Sequence, residues 1–495
     1  MIRALPFLSV GASTFAAALA LLAWLALHGF VGAETIELAG RSIATHDGAV
    51  TLREIALAFP PAPYLLSVGL QWIAPGNEIP VPNILSALAF AGLTIAILRS
   101  FFVAGYRLAT ALAMTGMLVG NPAFLHLAST GPSPVLLAFG AWLVATTAYR
   151  LRARANIVDL MGFSFCLAFL ALCHPLGAMM ALGLTPFLIL ILPPQVTSES
   201  TVGAYLTVLF PCLLVMGGAL YVSWIFTGDA FSLVRTLSAR SGDLGFEQAG
   251  APTNLRKPEA AWAWALYLLL TGLNAPILLG GMRFMHRRLP RLMPMLAFTL
   301  CVPLAAVMGD ALGLGSAPVL LVAPLVGIAA ASAAIFPIEE QRPVLALLLV
   351  AAGVVGGAFT LRIAAGAETH AWIAAMTGQK VVANSEPERA VGSALIGRSD
   401  VLIDIVSTPA VVTGRKSAKG LVGPLNPAFE IARMAQRPTS RYLAVRNVGG
   451  FHRESDGVHA IFPKLYADGM PGYVRIYDHL GWRVYERTSS ALAWK

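Results

Sequence analysis

Apolar residues run in long unbroken blocks through the first three quarters of the chain. After that they give way to shorter alternating and amphipathic patterns. A helix needs about 20 largely apolar residues to cross a bilayer. Runs of this kind lie near residues 7–30, 82–98, 108–120, 133–149, 157–174, 176–193, 204–226, 261–281, 292–308, 317–336 and 343–363, and they predict about eleven transmembrane helices. The third run is short, and Pro175 separates the fifth from the sixth. The first run follows Arg3 and ends at Val31-Gly32-Ala33, the small residues of a cleavage site. Its apolar core is longer than that of a signal peptide, so the expectation is an uncleaved first helix.

Basic residues orient these runs. Arg99 and Arg107, then Arg150, Arg152 and Arg154, then Arg283, Arg287, Arg288 and Arg291, and finally Arg342 fall in alternate connections. The segments near 121–132 and 309–317 carry no Lys or Arg. This bias places the basic turns and the N-terminus inside the cell. An odd number of spans then puts the C-terminal region outside. Two outer segments are long, residues 33–81 and 227–260. Within the first, Tyr64–Ala74 is apolar but too short to span, which predicts an interfacial or re-entrant helix entered through the Pro-rich turn Phe59-Pro60-Pro61-Ala62-Pro63-Tyr64. No internal repeat on the scale of a transporter is evident.

In the C-terminal region, strand-like runs at 401–407, 441–446, 473–478 and 482–486 alternate with helix-like runs at 386–396 and 427–436. A small α/β or α+β domain follows from that order. Charge marks the same boundary. Residues 365–495 hold 27 of the chain's charged side chains, and the first 364 residues hold 32. The expected fold class is therefore an all-α polytopic membrane protein, residues 1–364, with a small C-terminal α/β domain, residues 365–495, on the periplasmic side.

Composition agrees with that division. The 495 residues are 57% hydrophobic and 12% charged, about half the charge of an ordinary soluble protein. Such a chain cannot cover a water-facing surface of this size, which excludes a soluble enzyme, a disordered chain and a nucleic-acid-binding domain. The net charge of +9 belongs largely to the topology-setting arginines. All four cysteines, Cys166, Cys173, Cys212 and Cys301, lie in apolar runs, so neither a disulfide framework nor a metal motif is implied.

The candidate chemistry sits on the outer side. The first outer segment presents Glu34, Glu37, Arg41, His46, Asp47 and Glu54 within twenty-one residues. A carboxylate such as Asp47, partly screened from water, can be tuned to accept a proton, and Gly48 would let a backbone approach a ligand closely. The alternative is a loop that is polar because water is there. His126, His174 and Asp310 fall at outer helix ends, where ionisable groups are candidates for ligand contact, or for caps and solvated loop positions. The second outer segment carries Arg235, Arg240 and Arg256, against the topological bias. Arginine holds phosphate oxygens by paired hydrogen bonds, although salt bridges to Asp229, Asp243 and Glu247 or attraction to anionic lipids would also account for them. In the tail, Gly414-Arg415-Lys416-Ser417-Ala418-Lys419-Gly420 lacks the spacing of a phosphate-binding loop and reads as a solvated turn after a strand. Asp404 reads as a buried pairing residue.

The layout resembles the C-fold (GT-C type) class of integral-membrane glycosyltransferases that use polyprenyl-phosphate-linked sugars. A first helix precedes a long outer loop with an acidic residue, here His46-Asp47-Gly48. Phe59-Pro60-Pro61-Ala62-Pro63-Tyr64 is similar to the Pro-Pro-x-Pro-Tyr stretch of many members, and Asn121-Pro122, His174-Pro175 and the outer C-terminal domain are similar too. The resemblance implies that Asp47 is the general base and that Arg235, Arg240 or Arg256 stabilises the leaving phosphate; His46, Glu54, His126, His174 and Asp310 join these arginines as the expected substrate-binding residues. It implies a polyprenyl-phosphate-linked sugar donor, membrane lipids around the body, a glycan, lipid or protein acceptor, and a bacterial inner-membrane location. Many members carry a paired acidic motif where this chain has a single Asp47-Gly48. No cofactor is assigned, and a divalent metal stays open without a motif behind it. Two other readings remain: a catalytically inactive accessory or scaffold subunit of the same fold, and a transporter of a lipid-linked substrate.

Overall fold

A computed structural model of the chain describes residues 5–50, 60–74, 79–232, 258–284, 289–312, 318–335, 343–363, 366–382, 385–424, 426–447 and 456–488. The chain divides into two compact units. One comprises Met1–His28, Phe59–Pro63 and Asn83–Gln379; the other comprises Gly29–Ala58, Tyr64–Pro82 and Lys380–Lys495.

The first unit is helical and is a multi-pass membrane body. Six helices, Phe7–Leu27, Val81–Val103, Pro132–Arg154, Pro194–Thr227, Leu292–Ala311 and Pro343–Ile363, are long and apolar enough to cross a membrane. Two bent pairs bring the number to eight if each is one span: Leu108–Val119 with Pro122–Thr130, bent by 58°, and Trp262–Asn274 with Pro276–Met282, bent by 86°. The expectation of eleven also counts three shorter apolar segments, Ile157–Cys173, Pro175–Ile191 and Pro318–Ala334. At 1.5 Å per residue these are shorter than a hydrocarbon core of about 30 Å. Among the described residues, length and composition alone therefore give six to eight spans.

Small residues allow close packing inside this unit. A Cβ at Gly327, on the helix Val322–Ala334, would overlap the backbone of Ala138 and Trp142. The Leu170 carbonyl lies just as close to Gly177, and the Leu170 side chain packs on Gly140. Without a hydrophobic driving force in lipid, such contacts and interhelical hydrogen bonds hold the helices together. Tyr149 and Ser332 share a hydroxyl hydrogen bond of 2.8 Å, and Tyr106 donates to the Ala333 carbonyl at 3.0 Å.

The two bends meet one face of the helix Pro343–Ile363. At the first, the Asn121 side chain accepts from the Ala123 and Phe124 N–H groups and so caps the helix that starts at Pro122. Its amide donates to the Gly353 carbonyl at 3.2 Å. At the second, Asn274 donates to the Leu270 carbonyl and to Thr360 Oγ1, each at 2.8 Å. Gly353, Gly356 and Gly357 let these breaks seat. A Cβ would strike Asn274 from the first, Leu273 from the second and the Asn121 amide from the third.

The second unit is built on a five-stranded sheet in the order β2-β1-β3-β5-β4, with β1 Val401–Leu402, β2 Leu421–Val422, β3 Tyr442–Arg446, β4 Tyr473–His479 and β5 Trp482–Arg487. β1 lies parallel to β2 and β3, and β5 lies antiparallel to β3 and β4. Alternation along β3 feeds two cores. Tyr442 and Ala444 join Val391, Val411, Val412 and Trp482, while Leu443 and Val445 join Phe429, Ala432, Val458 and Ile461. This period of two is that of a strand buried on both faces. Ala44, with Ile43 partly buried, belongs to the first of these cores. The helix Ala33–His46 thus counts among the core elements of this unit, and Gly29–Ala58 groups with the tail, while residues 365–379 group with the membrane body.

Two readings of the tail are corrected. The strand expected at 401–407 ends at Leu402, because the Asp404 carboxylate accepts the N–H groups of Val406 and Ser407 and turns the chain out of the ladder. The basic loop follows a helix, Pro409–Arg415, and leads into β2; it does not follow a strand. Asp404 is buried and also accepts the Gly457 N–H at 2.9 Å, so it pairs with backbone.

Substituting Gly357 with Ala should destabilise the folded chain by about 1–3 kcal/mol through overpacking. Gly217→Ala, in open space on Pro194–Thr227, should be neutral or slightly stabilising. Thermal unfolding of the two variants in detergent checks the contrast.

Candidate functional site

The site grows from the end of the helix Ala33–His46. Its buried face carries Thr35, Leu38, Ala39, Gly40, Ser42 and Ala44. Gly40 lets the helix lie directly on the Pro409 backbone, where a Cβ would overlap. The helix stops in a glycine-dependent turn. Gly48 adopts φ +73°, its N–H reaches the Thr45 carbonyl, and the Ala49 N–H reaches the Ala44 carbonyl at 2.8 Å. This is a Schellman-type ending, so Gly48 is required by the turn geometry. Two residues before Asp47, the Thr45 hydroxyl hydrogen-bonds the Tyr64 hydroxyl at 2.7 Å. The Pro-Pro-x-Pro-Tyr stretch is thereby tied to this helix end, and Tyr64 is buried.

Asp47 sits at that C-cap with a side chain only 8% exposed. Its Oδ2 accepts from the Ser417 hydroxyl at 2.7 Å and from the Ala418 N–H at 2.8 Å. Its Oδ1 faces His46 Nδ1 at 3.3 Å. Burial would raise the carboxyl, but the hydrogen bonds from Ser417, Ala418 and His46 and the Lys419 charge outweigh it, so Asp47 titrates below its ordinary value of 3.8. It is ionised at neutral pH. The Arg415 guanidinium is also coupled to it, although burial holds that cation slightly below its usual range. The Gly-bounded basic loop is thus the structural partner of the His46-Asp47-Gly48 motif.

The other site residues fall in the first unit or outside the described residues. Glu54, Arg235, Arg240 and Arg256 lie outside them. His174 caps the helix Pro175–Leu184, its Nδ1 accepting the Leu176 N–H at 3.0 Å. Asp310 Oδ2 accepts a hydrogen bond from the buried Tyr267 hydroxyl. His126 is buried on the helix Pro122–Thr130, with its ring edge-on to Trp372 at a centroid distance of 5.3 Å. These three therefore engage three different neighbours, and among the described candidates of the second unit His46 accompanies Asp47. Among the described residues, no group of three His, Cys, Asp or Glu side chains is placed to hold a metal ion.

Sequence reasoning missed Ser417, the Ala418 N–H and Trp372. The basic loop was visible as a motif, but its pairing with Asp47 spans 370 residues, and no local pattern encodes it.

Comparison with known proteins adds a likeness of fold. No protein-family model matches the chain, and no curated protein matches it by sequence. Among solved structures, the chain is similar to ArnT from Cupriavidus metallidurans bound to undecaprenyl phosphate, with a TM-score of 0.49 and 12% sequence identity over 99% of this chain and 98% of that one.

Because the folded-state carboxyl of Asp47 is depressed, its stabilising contribution is complete above the unfolded value and lost as pH falls through the lower folded value. Asp47→Asn should cost about 1–3 kcal/mol at pH 6. The gap between the two proteins should shrink as pH falls below 3.8. Melting curves of both proteins between pH 6 and pH 3 test this. A gap that is constant with pH would show that the ionised carboxylate is not the stabilising form.

Proposed function

We propose that the chain is a membrane glycosyltransferase of the bacterial inner membrane. It moves a sugar from a polyprenyl-phosphate carrier to a glycan, lipid or protein acceptor on the periplasmic side, with the second unit in the periplasm and eleven spans in the first. The observation that supports this reading is the Asp47 carboxylate, ionised and fixed in the segment between the first two long apolar helices.

In this reading Ser417 and the Ala418 N–H hold Oδ2, and Oδ1 receives the proton of the acceptor hydroxyl. The acceptor oxygen forms its bond to the anomeric carbon as the bond from that carbon to the phosphate oxygen breaks. The electron pair leaves with the polyprenyl phosphate, and attack from the opposite face inverts the configuration. Arg235, Arg240 and Arg256 would stabilise the charge on the leaving phosphate, and His46, Glu54, His126, His174 and Asp310 are assigned to substrate binding. A fixed carboxylate lowers the barrier by proton transfer, an effect of about 10²–10⁴-fold in rate. The Pro-Pro-x-Pro-Tyr stretch bonded to the same helix end supports the reading, since it belongs to the same family resemblance as the acidic loop.

A second reading is favoured by one specific observation. Two donors already occupy Asp47 Oδ2 and the side chain is largely covered, as in a structural strut. An accessory subunit that keeps the fold and binds the lipid without turning it over would look the same.

Turnover of polyprenyl-phosphate-linked sugars in proteoliposomes separates the two. With the glycosyltransferase reading, Asp47→Asn should lower the rate at least about 100-fold while binding of polyprenyl phosphate persists. Ser417→Ala, which removes one orienting donor, should lower kcat more than it alters KM. Wild-type protein that binds polyprenyl phosphate but turns over no sugar donor would establish the accessory role.

A further inference from the structure

The sheet of the second unit has two edges, and they differ. β2 forms one edge with two residues, too short to template another strand. β4 forms the other with seven, Tyr473–His479. One side of β4 pairs with β5, and its other side faces no strand among the described residues. This edge is exposed and partly apolar. Val474 is 54% exposed, Ile476 is 36% exposed, and Leu480 in the turn that follows is 47% exposed. A long edge of this kind is a template for strand addition.

An irregularity in β4 decides what the edge can add. Arg475 pairs with Tyr485 and Tyr477 with Val484, so Ile476 is an extra residue, a β-bulge. In a regular strand, positions 475 and 478 would lie on opposite faces. The bulge puts both on the face of Tyr485 and Arg483, where their side chains form an ion pair of 2.8 Å. Asp478 also meets Arg483 Nε at 3.1 Å. The Arg475 and Asp478 side chains are 49% and 40% exposed, and an exposed ion pair within one chain is readily exchanged for another. Val474, Tyr477 and His479, opposite Glu486, Val484 and Trp482, take the other face.

Opposite charges on one face of a free edge are complementary to themselves. When a second β4 runs antiparallel with its Asp478 opposite Arg475, the two-fold axis also sets its Arg475 opposite Asp478. The same register sets Val474 against His479 on the other face, and Ile476 against Tyr477 at the centre. Every contact then occurs twice, as in an isologous interface. A slip by one residue would set Arg475 against Tyr477 and Asp478 against Val474, residues of opposite faces. We propose that β4 pairs antiparallel with β4 of a second copy of this chain, Arg475 of each copy bridging Asp478 of the other. Seven residues a side make a small contact, so the pairing belongs to copies concentrated in one membrane. It holds whether or not the chain transfers sugar.

Charge exchange between copies tests the pairing. Full-length copies carrying donor and acceptor fluorophores are reconstituted together in liposomes, and energy transfer is followed as protein density rises. Wild-type copies should associate. Arg475→Asp alone, or Asp478→Arg alone, sets like charges opposite each other and should weaken association about tenfold. Both positions are exposed, so the variants keep the fold. Mixing the two variants should restore association to the wild-type level, because each then meets the opposite charge on its neighbour at both positions. The ion pair within each variant chain stays broken, so restoration on mixing comes only from contact between copies. Wild-type copies that stay apart, with or without an added extended peptide pairing with β4, would overturn the proposal. So would single variants that associate like the wild type, or a mixture no better than either variant alone.

Discussion

The membrane body rests on the seating of two broken helices against the glycine face of Pro343–Ile363. Each break frees backbone groups that lipid cannot satisfy, and each is repaired locally by an asparagine. The repair works only if the neighbouring helix comes close enough to complete it. Gly353, Gly356 and Gly357 permit that approach, and Thr360 supplies the hydroxyl that meets Asn274. The Asn121 break starts the helix that carries His126, so the orientation of that histidine follows from the same packing.

The second unit follows a different logic. Its sheet has a hydrophobic core on each face, and one core is completed by the helix Ala33–His46. The motif that carries the proposed chemistry is therefore part of the fold of the second unit. Ser417 and the Ala418 N–H fix Asp47, and the Schellman turn at Gly48 fixes the backbone beneath it. The same contacts keep the carboxylate ionised, hold its Oδ2 and leave Oδ1 toward His46. Orientation and stability are coupled here, since the residue assigned to proton transfer also ties a surface loop to a helix end. Asp404 and Asp456 show the purely structural version of this arrangement. Both are buried and accept backbone N–H groups, Asp404 from Val406, Ser407 and Gly457, and Asp456 from Arg446 and Val458.

Much of the architecture was legible in the sequence because it depends on local composition. Runs of about 20 apolar residues have few alternatives to a spanning helix, and a helix stands at each expected segment wherever the residues are described. Strands β3, β4 and β5 were visible through alternation, and the helices at 386–394 and 427–435 through period. Strand β1 was expected as the longer run 401–407, and the two-residue β2 was beyond such reading, since a strand that short is defined by its partners. The acidic loop was recognisable as a candidate, but Gly48 was assigned to ligand approach when its φ serves a helix ending. The partners of Asp47 and His126 were not legible at all, because Ser417 and Trp372 lie hundreds of residues away.

By itself, then, the sequence determined that most of this chain must be helical and apolar, where the basic turns fall, and that a more charged α/β unit ends it. Those features follow from the cost of placing charge and free backbone in hydrocarbon, which each segment meets by its own composition. Tertiary structure alone decided which carboxylate is held, by which loop, and which aromatic ring packs on the buried histidine. These depend on contacts between distant segments, whose formation is set by packing shape and glycine-permitted approach.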